Sequence, residues 1–269
     1  MKNVQVSVII NCYNSDKYLK QAIDSVYAQS FSDWEIIFWD NQSNDKSKKI
    51  AQSYGPKVKY YYAENHTNLG KARALASEKA KGQYLSFLDA DDLWDPTKLE
   101  KQINILRNDK YAAMVYSKTR VIDSDNSLIK IWKKNARLPE GDIYKRLVKN
   151  NFISFCSVLL LKDKFTYVGG FSDDLDHSTD FDLFLKNDIF HQPLHLHHPR
   201  GESPRTRSPR ILHATCAPAL PGSPWDGPGP WNTGMGEVQS TFPGFRESGA
   251  RGHTRGRPIG MDLCYPKRM

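Results

Sequence analysis

The 269-residue chain has few cysteines, and they are too far apart to suggest a shared site. The four are Cys12, Cys156, Cys216 and Cys264, and they form no CxxC pair. Neither a zinc finger nor a disulfide framework is therefore expected. A reduced, cytoplasmic chain is the expectation.

Long hydrophobic runs are also missing. The longest apolar stretch, 152–161, has about half of the roughly 20 residues needed to cross a bilayer. The opening MKNVQVSVIINCYN lacks a small-residue cleavage site. We therefore expect no transmembrane segment and no secretory signal, while peripheral association with the inner face of a membrane stays open.

A concentrated surplus of one charge is absent too. The formal net charge is +8, divided as +4 in residues 1–187 and +4 in residues 188–269. Charge spread in this way gives little reason to expect a nucleic-acid partner, and we expect none. With 39% hydrophobic and 25% charged residues, the composition is that of an ordinary globular protein.

Proline and glycine are scarce up to residue 187 and abundant after it. The last 82 residues hold 12 of the 15 prolines, 11 of the 17 glycines and 9 of the 14 arginines, but one of the 24 lysines. Such a composition opposes regular structure, so we predict a catalytic domain over 1–187 and a mostly disordered tail over 188–269. An alternative is that the tail results from a frameshift or fusion.

Before that boundary, apolar strand-like runs alternate with helical patterns. Strands are predicted at 6–10, 34–40, 58–63 and 84–89, and helices after Ser15, over 45–54 and 71–81, and from Asp95 and Pro96 toward Arg107. This alternation predicts an α/β fold with a mainly parallel sheet and helices on both faces.

Polar residues follow three of these strands, at 11–14, 40–43 and 89–92. The carboxyl ends of parallel strands form the usual ligand crevice of such sheets. In FLDADDLW, Asp89 and Asp91 share one side of an extended segment, where like charges repel unless a cation lies between them. The pattern predicts a ligand site, although each stretch alone is also typical of turns.

The ordered set VSVIINCYN, EIIFWDNQSND, NLGKARALASEKAKG, YLSFLDADDLW and STDFDLFLK resembles the family 2 glycosyltransferases, which have the Rossmann-like GT-A fold. The resemblance covers residues 4 to about 187. It implies a nucleotide-diphosphate-sugar donor, usually a UDP-sugar, a divalent cation (Mg²⁺ or Mn²⁺), and inversion at the anomeric carbon. It also implies a glycan or lipid-linked acceptor, and bacterial cell-surface polysaccharide biosynthesis.

The same resemblance implies roles for single residues. Nucleotide contacts are expected from Asn11, Tyr13, Asp40, Arg73 and Asp89, with Asp40 accepting a hydrogen bond from the uracil imide. Asp91, together with Asp89, matches the DxD metal ligands. Asp180 matches the catalytic base, with Thr179 where the family usually has glutamate.

Simpler interpretations stay open beside these. Arg73 could merely be solvated on a helix face, and Asp180 could be only an N-cap. Asp92 and Asp95 are better explained as local helix caps, and Trp94 as packing. For the whole chain, the alternatives are a C-terminally disrupted, catalytically impaired nucleotide-binding product and a nucleotidyltransferase, although NCYNSD lacks the glycine-rich phosphate loop that the latter usually has.

Overall fold

A computed structural model describes residues 4–131, 137–186 and 210–214 of the chain. The strands are β1 (Val6–Cys12), β2 (Trp34–Asp40), β3 (Val58–Tyr62), β4 (Tyr84–Phe87), β5 (Ala112–Ser117), β6 (Arg120–Ile122), β7 (Leu128–Ile131), β8 (Leu159–Leu161) and β9 (Arg210–Ala214). The helices are α1 (Asp16–Tyr27), α2 (Ser47–Gln52), α3 (Leu69–Glu78), α4 (Lys98–Asn108), α5 (Tyr144–Lys149), α6 (Lys162–Tyr167) and α7 (Thr179–Leu185), with a 3₁₀ turn at Phe155–Ser157.

Seven strands form one sheet in the order β3-β2-β1-β4-β8-β5-β9, and β6 and β7 form a separate hairpin. The β1–β2, β1–β4, β2–β3 and β5–β9 pairs are parallel, whereas β8 runs antiparallel to both of its neighbours. The prediction of a mainly parallel α/β sheet is confirmed. The chain moves outward from β1 to β2 and β3 and then returns to β4, so strand order reverses between β1 and β4, the place where such sheets bind ligands.

Alternating side chains of the strands enter two separate hydrophobic cores. Ile9 and Ile37 belong to one core with α3, α5 and α7, whereas Val8 and Ile36 belong to the other with α1 and α4. Both faces of the sheet are therefore covered, as the nearly continuous apolar runs of β1 and β2 predict for buried parallel strands.

All four predicted strands are present, and the predicted helices occur with shifted ends. The start of α4 differs from its prediction, because the helix begins at Lys98 rather than directly after Asp95. Asp95 instead accepts hydrogen bonds from the backbone N–H of Thr97 at 3.0 Å and from its hydroxyl at 2.7 Å. Asp95 therefore closes the turn before the helix and is not its N-cap.

One strand lies inside the stretch predicted to be a mostly disordered tail. β9 pairs in parallel with β5 at the edge of the sheet, so these five residues form regular structure within a stretch whose composition predicts mostly disorder. The rest of that stretch, 187–209 and 215–269, lies outside the described residues.

Candidate active site

Two loops at the carboxyl ends of β1 and β2 are joined by hydrogen bonds. The Asn14 backbone N–H donates to Ser43 Oγ at 3.0 Å, and the Asn44 N–H donates to Asn14 Oδ1 at 2.8 Å. The Asp16 N–H donates to Asp45 Oδ2 at 3.0 Å. Asn14 has a φ of 49°, a left-handed conformation that asparagine tolerates better than most residues. These bonds fix one wall of the crevice.

Asn11 lies near the end of β1, and Tyr13 directly follows this strand. Nδ2 of Asn11 is buried and has no hydrogen-bond partner within the described part of the chain. The ring of Tyr13 is 52% exposed and contacts His66, with 4.4 Å between the ring centroids. Nδ1 of His66 lies 2.8 Å from the backbone carbonyl of Asn41; because a carbonyl only accepts, this nitrogen carries the proton.

His66 is therefore a site neighbour that sequence reasoning missed. It follows β3, a strand whose end carries no acidic motif, and only the contact with Tyr13 reveals its place at the crevice.

Asp40 is held by hydrogen bonds at the end of β2. It is fully buried, its Oδ1 accepts from the Ser43 backbone N–H at 2.7 Å, and its Oδ2 accepts from the Tyr60 hydroxyl at 2.7 Å. In this structure Asp40 stabilises the turn after β2. Its hydrogen bond with a uracil imide stays a prediction, because each carboxylate oxygen can accept a second hydrogen bond.

The FLDADD segment turns sharply after β4. The Asp92 backbone N–H donates to the carbonyl of Asp89 at 3.1 Å, closing a turn that keeps Asp89 and Asp91 next to the strand end. Burial raises the pKa of Asp91 above its ordinary value, and the negative charge of Asp89 raises it further. Trp94 is buried and donates from Nε1 to the Cys156 carbonyl at 2.8 Å, which confirms its interpretation as packing.

Arg73 lies beside these acids rather than on a solvated helix face. Its side chain is 7% exposed, its NH2 group forms a salt bridge with Asp89 Oδ1 at 3.0 Å, and its NH1 group donates to Thr179 Oγ1 at 2.5 Å. The guanidinium also lies over the ring of Phe155, 4.0 Å from its centroid. The interpretation as a solvated residue is wrong, and its contacts are with protein groups of the site.

Asp180 lies in the first turn of α7, directly after Thr179. The N-cap position belongs to Ser178, so the interpretation of Asp180 as only an N-cap is wrong. Burial raises the pKa of Asp180, and this effect outweighs the opposing influence of Arg73 and of the backbone N–H groups at the helix start. A partly buried carboxylate with a raised pKa is suited to accept a proton near neutral pH.

The structure thus brings four of the predicted residues together: Arg73, Asp89, Asp91 and Asp180. Arg73 contacts Asp89, whose negative charge acts on both Asp91 and Asp180. Asn11 lies near the end of β1 and Tyr13 directly follows this strand, which is next to β4 in the sheet, whereas Asp40 is fully buried. Within residues 4–131, 137–186 and 210–214, no three His, Cys, Asp or Glu side chains are grouped so as to hold a metal ion by themselves.

Across the described ranges, no helix combines the length and apolar character needed to span a bilayer.

Comparisons with known proteins find related sequences and a similar fold. Residues 7–166 match the model of Glycosyl transferase family 2. An uncharacterized glycosyltransferase of Rickettsia typhi is 36% identical over 184 residues, which are 67% of this chain and 58% of that protein. The chain thus spans less than two thirds of that relative's length. The Escherichia coli protein named UDP-Glc:alpha-D-GlcNAc-diphosphoundecaprenol beta-1,3-glucosyltransferase WfgD is 28% identical over 69% of this chain and 70% of its own.

A crystal structure of TarS from S. aureus superposes with a TM-score of 0.57 at 18% identity, covering 78% of this chain and 58% of that chain. A likeness at this identity concerns the fold, and it agrees with the predicted GT-A architecture. With the family model covering more than half of the residues, the chain belongs to glycosyltransferase family 2.

Proposed function

We propose that this chain is an inverting, metal-dependent glycosyltransferase that moves a sugar from a nucleotide-diphosphate-sugar to a glycan or glycolipid acceptor. The observation that carries the proposal is the meeting of Asp89, Asp91 and Asp180 beside one buried arginine, at the point where the strand order of the sheet reverses. One crevice would thereby hold carboxylates that can bind a metal ion and a base that can take the proton of an acceptor hydroxyl.

A UDP-sugar is the donor class that we favour. TarS, which shares the fold, has been crystallised with UDP and with UDP-GlcNAc, and the name of WfgD describes a UDP-glucose donor. The Bacillus subtilis relative TuaG is named for teichuronic acid biosynthesis, and the name of WfgD describes a GlcNAc-diphosphoundecaprenol acceptor. We accordingly propose bacterial surface polysaccharide assembly as the process.

The acidic pair fits a divalent cation. Mg²⁺ and Mn²⁺ prefer oxygen ligands, and Mg²⁺ is commonly held by one or two carboxylates together with substrate phosphates, so a larger protein cluster is not needed. Asp91 is partly buried next to Asp89, and one oxygen of Asp89 is engaged by Arg73. Asp91 would hold the ion with help from Asp89, and the bound ion would stabilise the negative charge of the departing diphosphate.

Asp180 acts on the acceptor. Its carboxylate removes the proton of the acceptor hydroxyl while that oxygen bonds to the anomeric carbon from the side opposite the diphosphate. The bond from the anomeric carbon to the diphosphate oxygen breaks, and the nucleoside diphosphate leaves with the bonding electrons. This single displacement inverts the anomeric centre and leaves Asp180 protonated.

An alternative is a nucleotide-binding product that does not transfer sugar. It rests on the change of composition after residue 187, where proline, glycine and arginine become abundant and lysine nearly disappears. Membership of the glycosyltransferase family argues against a nucleotidyltransferase.

Calorimetry and product release distinguish these possibilities. UDP is titrated with and without Mn²⁺, and UDP release from a panel of UDP-sugars is then measured for wild type, Asp180→Asn and Asp91→Ala. Asp174→Asn is the matched control, because this carboxylate lies exposed in the loop before α7.

We expect metal-dependent UDP binding in wild type, its loss in Asp91→Ala, and binding without turnover in Asp180→Asn. Absence of metal-dependent binding would refute the proposal, and binding without release for every donor and acceptor would favour the non-transferring product.

A further inference from the structure

We propose that Arg73 is a positioning residue that holds the metal-side carboxylate Asp89 and the base-bearing helix α7 in one fixed arrangement, and that it does not bind the nucleotide. This inference rests on the proposed function, and it replaces the nucleotide contact that the family resemblance implies for Arg73.

The contacts of the guanidinium carry the argument. One nitrogen pairs with Asp89 at 3.0 Å and another donates to Thr179 at 2.5 Å, so a single planar group joins the end of β4 to the first residue of α7. Arg73 itself lies on α3, which makes it the link between three separate elements.

The surroundings of Arg73 leave little of it for a ligand. Its face lies over Phe155, and Phe171 is 6.0 Å from the guanidinium carbon. Both rings pack on Phe87, at centroid distances of 4.7 Å for Phe155 and 5.3 Å for Phe171. Arg73 thus stacks on aromatic rings and is only 6% exposed as a residue. Its observed N–H donors contact protein groups.

The geometry requires arginine. The guanidinium presents several N–H donors in a rigid plane and so can contact two partners in fixed directions, whereas lysine is a single point charge on a flexible chain. Thr179, which stands where the family usually has glutamate, accepts a hydrogen bond but adds no charge. The positive charge of Arg73 is therefore compensated by Asp89 and also acts on the neighbouring Asp180.

The test separates fixed positioning from nucleotide binding. Arg73→Lys keeps the positive charge but loses the planar guanidinium that contacts Asp89 and Thr179 together. Thr179→Val removes the hydroxyl that accepts on α7, whereas Thr179→Ser keeps a hydroxyl there. Lys79→Arg, at an exposed position just after α3, is the matched control. Folding of each variant is checked by thermal unfolding, and UDP affinity is measured with and without Mn²⁺ beside the kcat and KM of UDP-sugar turnover.

We expect Arg73→Lys to keep its UDP affinity without metal within about twofold of wild type. It should need about tenfold more Mn²⁺ for half-saturation, and its kcat should fall about 100-fold, the order expected for misplaced catalytic groups. Thr179→Val should lose roughly tenfold in kcat with little change in KM, and Thr179→Ser should recover it.

Two results would overturn the inference while wild type remains active. One is equal loss of UDP affinity with and without Mn²⁺ in Arg73→Lys, which would make Arg73 a nucleotide ligand. The other is wild-type kcat and Mn²⁺ dependence in both Arg73→Lys and Thr179→Val. Failure of the proposed function would look different, since wild type itself would then show neither metal-dependent binding nor UDP release. If Arg73→Lys does not fold, a folded Thr179→Val with an unchanged kcat refutes the inference by itself.

Discussion

Replacing Gly70 by alanine should destabilise the protein, although alanine usually stabilises a helix. Gly70 is the second residue of α3, and its N–H donates to the carbonyl of Leu175 at 2.8 Å. A Cβ at this position would lie 2.2 Å from the backbone oxygen of Ser172 and 2.6 Å from that of Leu175. Because both atoms belong to the backbone, they cannot rotate away as a side chain would, and the loop before α7 has to move.

The magnitude follows from opposing contributions. Overpacking costs about 1–3 kcal/mol, and the lost hydrogen bond to Leu175 costs about 1 kcal/mol. Alanine regains up to about 1 kcal/mol of helix propensity. The net loss in free energy of unfolding is roughly 1–3 kcal/mol, which lowers Tm by about 2–10 °C in a domain of this size.

Thermal and urea unfolding followed by circular dichroism measure this change, with Gly55→Ala as control. No atom lies within 4 Å of a Cβ at Gly55, so alanine there should leave stability unchanged or raise it by up to about 1 kcal/mol. Gly70→Ala should also lower kcat, because the displaced loop leads directly into Asp180. If Gly70→Ala were as stable as Gly55→Ala, the close packing of α3 against this loop would be refuted.

Further predictions concern the buried acids. Burial raises the pKa of Asp180, so kcat/KM should fall on the acid side at a pH above the ordinary aspartate range, because the base must be ionised; a pH–rate profile without this acid limb would contradict the assignment. A raised pKa also means that the ionised form destabilises the folded state at neutral pH, so Asp180→Asn and Asp91→Asn should raise Tm at pH 7 while impairing activity. That gain should shrink as the pH falls below the raised pKa values and vanish below the ordinary aspartate pKa, and equal gains at all pH values would argue against burial as the cause. Tyr60→Phe removes a donor from buried Asp40 and should lower the free energy of unfolding in urea by about 1–3 kcal/mol. We expect UDP affinity to stay unchanged, and a large loss of affinity would instead support the predicted contact of Asp40 with the nucleotide.

The sequence predicts the parallel half of the fold well, because buried parallel strands appear as continuous apolar runs. It does not predict the antiparallel strand β8, whose residues Leu159–Leu161 lie inside a longer apolar stretch without a pattern that fixes direction. Strand direction depends on pairing with β4 and β5, which are distant in the chain. The same limit applies to β9, because its partner β5 ends at Ser117, 93 positions before β9 starts at Arg210.

At the site, the sequence identifies acids that follow strands but not their burial. Asp40 pairs in register with Tyr62, so Tyr60 lies two residues away on the same side of the neighbouring strand and reaches the carboxylate with its hydroxyl. The register between two strands is a property of the folded sheet, and no local sequence motif predicts it. Arg73 illustrates the same point, since its partners Asp89 and Thr179 lie 16 and 106 residues away in the chain.

The balance of charge explains why these residues suit a donor that arrives with a cation. Asp89 and Asp180 lie beside one arginine, and that arginine is already engaged by Asp89 and Thr179. A diphosphate entering alone would add negative charge to a crevice whose burial and mutual repulsion already raise the pKa values of Asp91 and Asp180. A divalent ion reverses this balance, because it attracts both the carboxylates and the phosphates and favours the ionised form of each acid. Arg73 cannot substitute for that ion, since moving it toward a phosphate would break the two bonds that hold Asp89 and α7 in place.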